Sequence, residues 1–250
     1  MVLPNFRHQI FNIAALLCFI YASVSLVLFQ TYETQILGIN AFIKPLKFGL
    51  SAGILFLTFS WYANFIPNRL SKSYSLFAWV NVCVMTFELS WILIQAMRGT
   101  LSHFNTNTVF ESIMFGLMGI FIAISTTWTL VLFRWTFLTD FTMRPGSIWA
   151  LRFGILYFVF FGFTGFIMGA HRSHTFGAAD GGPGLPFLNW SLTHGDVRIP
   201  HFLGLHALQI LPLASWIFNL RLSVSFIISI LYGLICFFLL YLALNGIAPY

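Results

Sequence analysis

Seven histidines are placed unevenly along this 250-residue chain. Imidazole is the side chain best suited to ligate a metal or pass a proton near neutral pH. By counting the apolar runs between them, His103, His171, His174, His194, His201 and His206 are expected at one face of a membrane, with only His8 at the other. The same pole collects Lys44, Lys47, Arg98, Arg172, Arg198, Asp180, Asp196 and Glu111. Three ligands suit such a set. Haem b would take His206 with His103 or His171 as axial ligands, and Arg98, Arg172 and Arg198 would pair with its propionates. Zinc would draw on His171, His174, His201, His206 and Asp196, leaving a position open for water. Copper(I) would add the soft thioethers of Met114, Met118 and Met168, although methionines at helical spacing also serve as core filler. His201 and His206 lie about 140° apart around a helix, so they do not form an i,i+4 metal pair. The plain alternative is that longer loops on one side simply carry more polar residues.

A second constellation runs through an apolar segment. Asn81, Glu88 and Gln95 are spaced by seven, which returns each to nearly the same helix azimuth. Such a stripe is costly against lipid and should face a bundle interior or water. A carboxylate at that depth must be protonated, paired or hydrated, and Lys47 is a candidate partner. The choice is between a structural polar contact and a proton relay or ligand contact.

These groups need helices to hold them. A crossing takes about 20 apolar residues, and seven segments qualify: Ile10–Gln30, Leu46–Ile66, Tyr74–Met97, Val109–Trp135, Ile148–Ala170, Phe202–Phe218 and Leu222–Leu244. Unpaired strands are excluded inside lipid, and the runs are continuous rather than alternating, which excludes a membrane barrel. The reading is one all-α domain over residues 1–250, a bundle of seven transmembrane helices. A long loop, 171–201, joins helices five and six. Its Gly/Pro-rich stretch 181–186 specifies tight turns, and Phe187, Leu188, Trp190 and Leu192 suggest an ordered outer cap. The first helix is expected to stay uncleaved.

Composition agrees. Charged residues are 7% of the chain and apolar residues 59%, against about 25% charged in soluble domains. The net charge of +6 comes from cations scattered along the chain, so no nucleic-acid partner is expected. With the N-terminus inside, Arg7, Arg69, Lys72, Arg134, Arg144, Arg152 and Arg221 lie on the inner side, seven against five outside, which favours a cytoplasmic N-terminus. Cys18, Cys83 and Cys236 are far apart in apolar stretches, so neither a disulfide framework nor a thiolate zinc site is expected.

Four motifs, Lys44-Pro-Leu-Lys-Phe48, Gln95-Ala-Met-Arg-Gly-Thr-Leu-Ser-His-Phe-Asn105, Gly181-Gly-Pro-Gly-Leu-Pro186 and His201-Phe-Leu-Gly-Leu-His-Ala-Leu-Gln209, resemble a family of uncharacterised bacterial integral membrane proteins. The resemblance implies a bacterial cytoplasmic membrane and brings no activity with it. Seven-helix metal hydrolases of the ceramidase kind fit less well, because His201 and His206 have one residue too many between them. Retinal proteins are disfavoured, since the last span has no lysine. The residues therefore point first to haem or metal binding for redox or sensing work. The alternatives are an anion or proton transporter or channel, an accessory subunit of a membrane complex (or a homo-oligomer), and a membrane-embedded zinc hydrolase.

Overall fold

The computed structural model describes residues 6–250, with side chains from Gln9 onward; Arg7 and His8 lie outside the described side chains. The described chain is mostly helical. In order it runs α1 (Phe6–Thr31), β1 (Gln35–Ile36), β2 (Ile39–Asn40), α2 (Ile43–Tyr62), α3 (Ser71–Met97), α4 (Val109–Trp128), α5 (Leu130–Trp135), α6 (Pro145–His171), β3 (Thr175–Phe176), β4 (Gly195–Asp196), α7 (Arg198–Ile217) and α8 (Leu222–Leu244).

Among the described residues, six stretches are long and apolar enough to cross a membrane: Gln9–Thr31, Ile43–Phe65, Asn68–Met97, Val109–Trp135, Pro145–His171 and Leu222–Leu244. Seven crossings were expected, and six of those segments are found here. The odd one out is α7, which has the length, 20 residues, but not the apolarity. His201, His206, Gln209 and two prolines dilute its hydrophobic residues. It packs against protein along one side: Gly154 of α6 sits on the backbone of Ala207 and Leu208, Phe161 on Gly204, and Gly165 near His201. That pairing makes α7 antiparallel to α6.

The chain divides into two compact units, Met1–Ser125 and Thr126–Tyr250. In the first, α1 closes on α2 where Gly49 and Gly53 leave room for Tyr21 and Phe19; a Cβ at either glycine would lie 2.7 Å from those rings. Phe11, Phe56, Phe59 and Phe77 form an aromatic core between α1, α2 and α3, with Phe59 and Phe77 ring centroids 5.0 Å apart. The β1–β2 hairpin turns at Leu37 and Gly38, both at positive φ, as the tightest hairpin turns require.

In the second unit, a serine ladder ties three helices together. Ser215 Oγ lies 3.2 Å from Ser147 Oγ and 2.8 Å from Ser225 Oγ. Tyr232 Oη donates to Leu203 O at 2.6 Å, and Tyr157 Oη to Ser229 O at 3.0 Å. The 172–197 connection is laced by short-range pairing: β3 with β4, and Gly184 with Ser191. Gly195 anchors it on α8, since a Cβ there would meet Ala243 O at 2.1 Å.

Candidate functional site

The polar stripe of α3 lies in the first unit, and Asn81, Glu88 and Gln95 are all buried. Each end of the stripe is tied. At one end Asn81 Nδ2 donates to Phe77 O (2.8 Å) while its Oδ1 accepts from Ser125 Oγ of α4 (2.8 Å). At the other, Gln95 Nε2 donates to Glu111 Oε2 (2.6 Å), and Arg98 Nη1 donates to Glu111 Oε1 (2.5 Å) and Gln95 Oε1 (2.8 Å). Glu111 is positioned by its own helix start. Thr108 Oγ1 accepts from the Glu111 backbone N–H at 3.1 Å, so Thr-x-x-Glu caps α4 and places the carboxylate in its first turn.

Glu88 sits between these ends, about 10 Å of helix rise from each neighbour in the stripe. It is 2% exposed, and its Oε1 has no hydrogen-bond partner. One turn of protein around it is fixed by α1, where Tyr21 Oη donates to Leu89 O at 2.9 Å. Lys44 lies in the first turn of α2, and Lys47, the partner expected for Glu88, lies one turn further along the same helix.

Lys44 reaches the loop before α4. Its Nζ lies 3.1 Å from His103 Nδ1, which Ser102 Oγ approaches at 3.0 Å. Phe48, Phe104 and Phe115 surround the imidazole, with centroids 6.1–6.4 Å away. Phe104 is held at φ +66°, a left-handed conformation that bulky residues avoid and that clusters at functional loops. Because an ammonium only donates, Nδ1 of His103 accepts and Nε2 carries the ring proton.

The second unit holds the remaining imidazoles, each with its own partners. His201 Nδ1 lies 2.7 Å from Phe161 O and 3.1 Å from Thr164 Oγ1. His206 packs its ring on Phe202 at 4.2 Å. The Gln209 amide, in its satisfied orientation, donates to the backbone carbonyls of His206 (3.1 Å) and Leu205 (3.2 Å). His171 and Arg172 are exposed at the end of α6, with His171 stacked on Phe176 at 4.2 Å and Arg172 at φ +54° as the helix cap. His174 Nδ1 meets Asp180 Oδ2 at 2.7 Å, and Asp180 also accepts from the backbone N–H of His174 and Thr175 and from Ser173 Oγ. Burial alone would raise the Asp180 pKa. The hydrogen bonds and charge of His174, with help from Ser173, outweigh it and hold the carboxyl well below the usual carboxylate range.

Asp196 is wholly buried and accepts from Arg198 Nη2 (2.6 Å), Arg198 Nε (2.9 Å), and the backbone N–H of Ser191 (2.8 Å) and Arg198 (3.0 Å). Arg198 Nη2 goes on to Asn189 O at 2.6 Å.

Among the described residues, no three His, Cys, Asp or Glu side chains gather as a metal site requires. Arg98 is paired with Glu111 and Arg198 with Asp196. Comparison with protein-family models, curated proteins and solved structures finds no match.

Sequence reasoning missed Ser125 as the partner of Asn81, and Glu111 as the hub joining Gln95 to Arg98. The Thr108-x-x-Glu111 pattern is the one signal that could have exposed the latter.

Proposed function

We propose that this membrane protein moves protons, or an ion coupled to them, with Glu88 as the group that takes up and releases the proton. One observation carries the reading: a carboxyl buried about two thirds of the way along a membrane-length helix has an oxygen with no hydrogen-bond partner. Burying such a group without a bond costs several kcal/mol, and an orphaned buried polar atom calls for a functional explanation. The chemistry needs no cofactor, because a carboxylate accepts a proton and returns it with only an O–H bond made and broken. Lys44, His103 and Ser102 form the approach: Lys44 contacts the imidazole, which relays a proton between its two nitrogens. Asn81–Ser125 and Gln95–Glu111–Arg98 hold the helices on either side of that point.

In this reading α7 is the seventh crossing, since its antiparallel packing on α6 carries it through the same depth. The protein then sits in a bacterial cytoplasmic membrane with its N-terminus in the cytoplasm, as the cation count favours. The test is flux. In proteoliposomes with an internal pH dye, the wild type dissipates an imposed pH gradient, and Glu88→Gln falls to the rate of protein-free vesicles. A Glu88→Gln protein that is folded and as fast as wild type overturns the proposal.

A further inference from the structure

Arg152 takes no part in the Glu88 site. It lies on α6, about 10 Å of helix rise inside the Pro145 end, within a membrane-length stretch. Its guanidinium lies against two aromatic rings, with Cζ 3.8 Å from the Phe137 centroid and 4.8 Å from the Trp149 centroid. One edge is also taken. Nε donates to Thr136 Oγ1 at 3.0 Å and Nη2 to Thr136 O at 2.8 Å. Of its five N–H donors, that leaves three, on Nη1 and the outer side of Nη2, directed along the ring plane. No carboxylate among the described residues pairs with this charge.

An unpaired cation held this way suits one ligand chemistry. The remaining edge is the fork that binds phosphate oxygens bidentately, and the aromatic faces fix it for that purpose. The walls around it are apolar. Phe133, Phe137, Phe153 and Leu156 line a crevice at Arg152, and Trp149 separates it from a second crevice lined by Leu222, Phe226 and Ile227. Phe137, Leu156, Leu222 and Ile227 are exposed, which suits acyl chains and not a free, hydrated ion. Arg134, Arg144 and Arg221 add exposed positive charge to the same unit, flanking the ends of α5, α6 and α8. Positive charge at such ends attracts anionic lipid.

We propose that Arg152, Phe137 and Trp149 form a binding site for the phosphate of an anionic phospholipid, its acyl chains lying in the two aromatic crevices. This site is independent of the Glu88 reading.

The test uses the full chain, purified and placed in nanodiscs of phosphatidylcholine alone or mixed with phosphatidylglycerol, with inorganic phosphate in detergent as a separate arm. The wild type should melt several degrees higher with phosphatidylglycerol than with phosphatidylcholine, and should retain phosphatidylglycerol in native mass spectrometry. Arg152→Gln should lose both, and Arg134→Gln should keep both. Because Arg152→Gln also breaks the Thr136 bonds, Trp149→Ala serves as a second variant that keeps them, and it too should lose lipid retention. The site is refuted by equal melting in the two lipids, by the same stabilisation from inorganic phosphate, by Arg152→Gln or Trp149→Ala retaining phosphatidylglycerol, or by Arg134→Gln losing as much as Arg152→Gln.

Discussion

Two carboxylates with opposite surroundings set what single residues can do here. Asp196 is buried and saturated, with Arg198 and two backbone N–H groups bonded to it. Asp196→Ala would leave Arg198 unpaired and the Ser191 N–H orphaned, a loss expected at about 3–5 kcal/mol and readable as a lower melting midpoint. Glu88 is buried and unsaturated, so its removal should change transport far more than folding. His103 discriminates between sites: His103→Gln should slow proton flux and alter its pH profile, whereas His171→Gln, at an exposed imidazole stacked on Phe176, should leave flux unchanged. Asp180 supplies the pH dependence. Its folded pKa lies below the unfolded one, so its stabilisation is fully present above the ordinary carboxylate pKa of about 4 and is lost as pH falls through the depressed value. The protection of residues 173–180 against hydrogen exchange, relative to the intrinsic rate at each pH, should therefore hold steady from neutral pH down to about 4 and fall below it. Asp180→Asn should exchange faster throughout and show no such step. The residue types and the stripe spacing were legible in the sequence. The partners were not, because Ser125 and Glu111 belong to α4 and no spacing within one helix encodes them.

At the scale of elements, close helix approach depends on a few glycines. A Cβ on Gly204 would lie 2.2 Å from the Phe161 side chain and one on Gly154 2.8 Å from Ala207 O, while Gly116 has open space. Gly204→Ala and Gly154→Ala should destabilise the protein by about 1–3 kcal/mol, and Gly116→Ala should melt like the wild type. Five of the helices were plain in the sequence from their continuous apolar runs, and the last span from Leu222 to Leu244 matched to the residue. The seventh segment was legible as a helix but misjudged as apolar: packing on α6 lets α7 carry His201 and His206 where a lipid-facing helix could not. The two-residue strands β1 to β4 were invisible, since so short a pairing leaves no alternating pattern.

At the scale of the whole molecule, the number of crossings decides which sides the termini occupy. With α7 crossing, an odd number of passes puts them on opposite sides. Cysteine-labelling of single engineered sites near each end, in intact and permeabilised cells, should show one end protected and the other reachable; both ends on one side would leave α7 as a helix that does not cross. The membrane setting was readable from composition alone, because a 7% charged chain cannot cover a water-facing surface. The partners of individual imidazoles were not, because tertiary contacts choose them, such as Phe161 O for His201 and Asp180 for His174. Infrared spectroscopy of the reconstituted protein reads the proton on Glu88 directly. A carboxylic C=O band should grow and fade with bulk pH and be missing in Glu88→Gln; a band that survives the substitution, or one that ignores pH, would contradict the account.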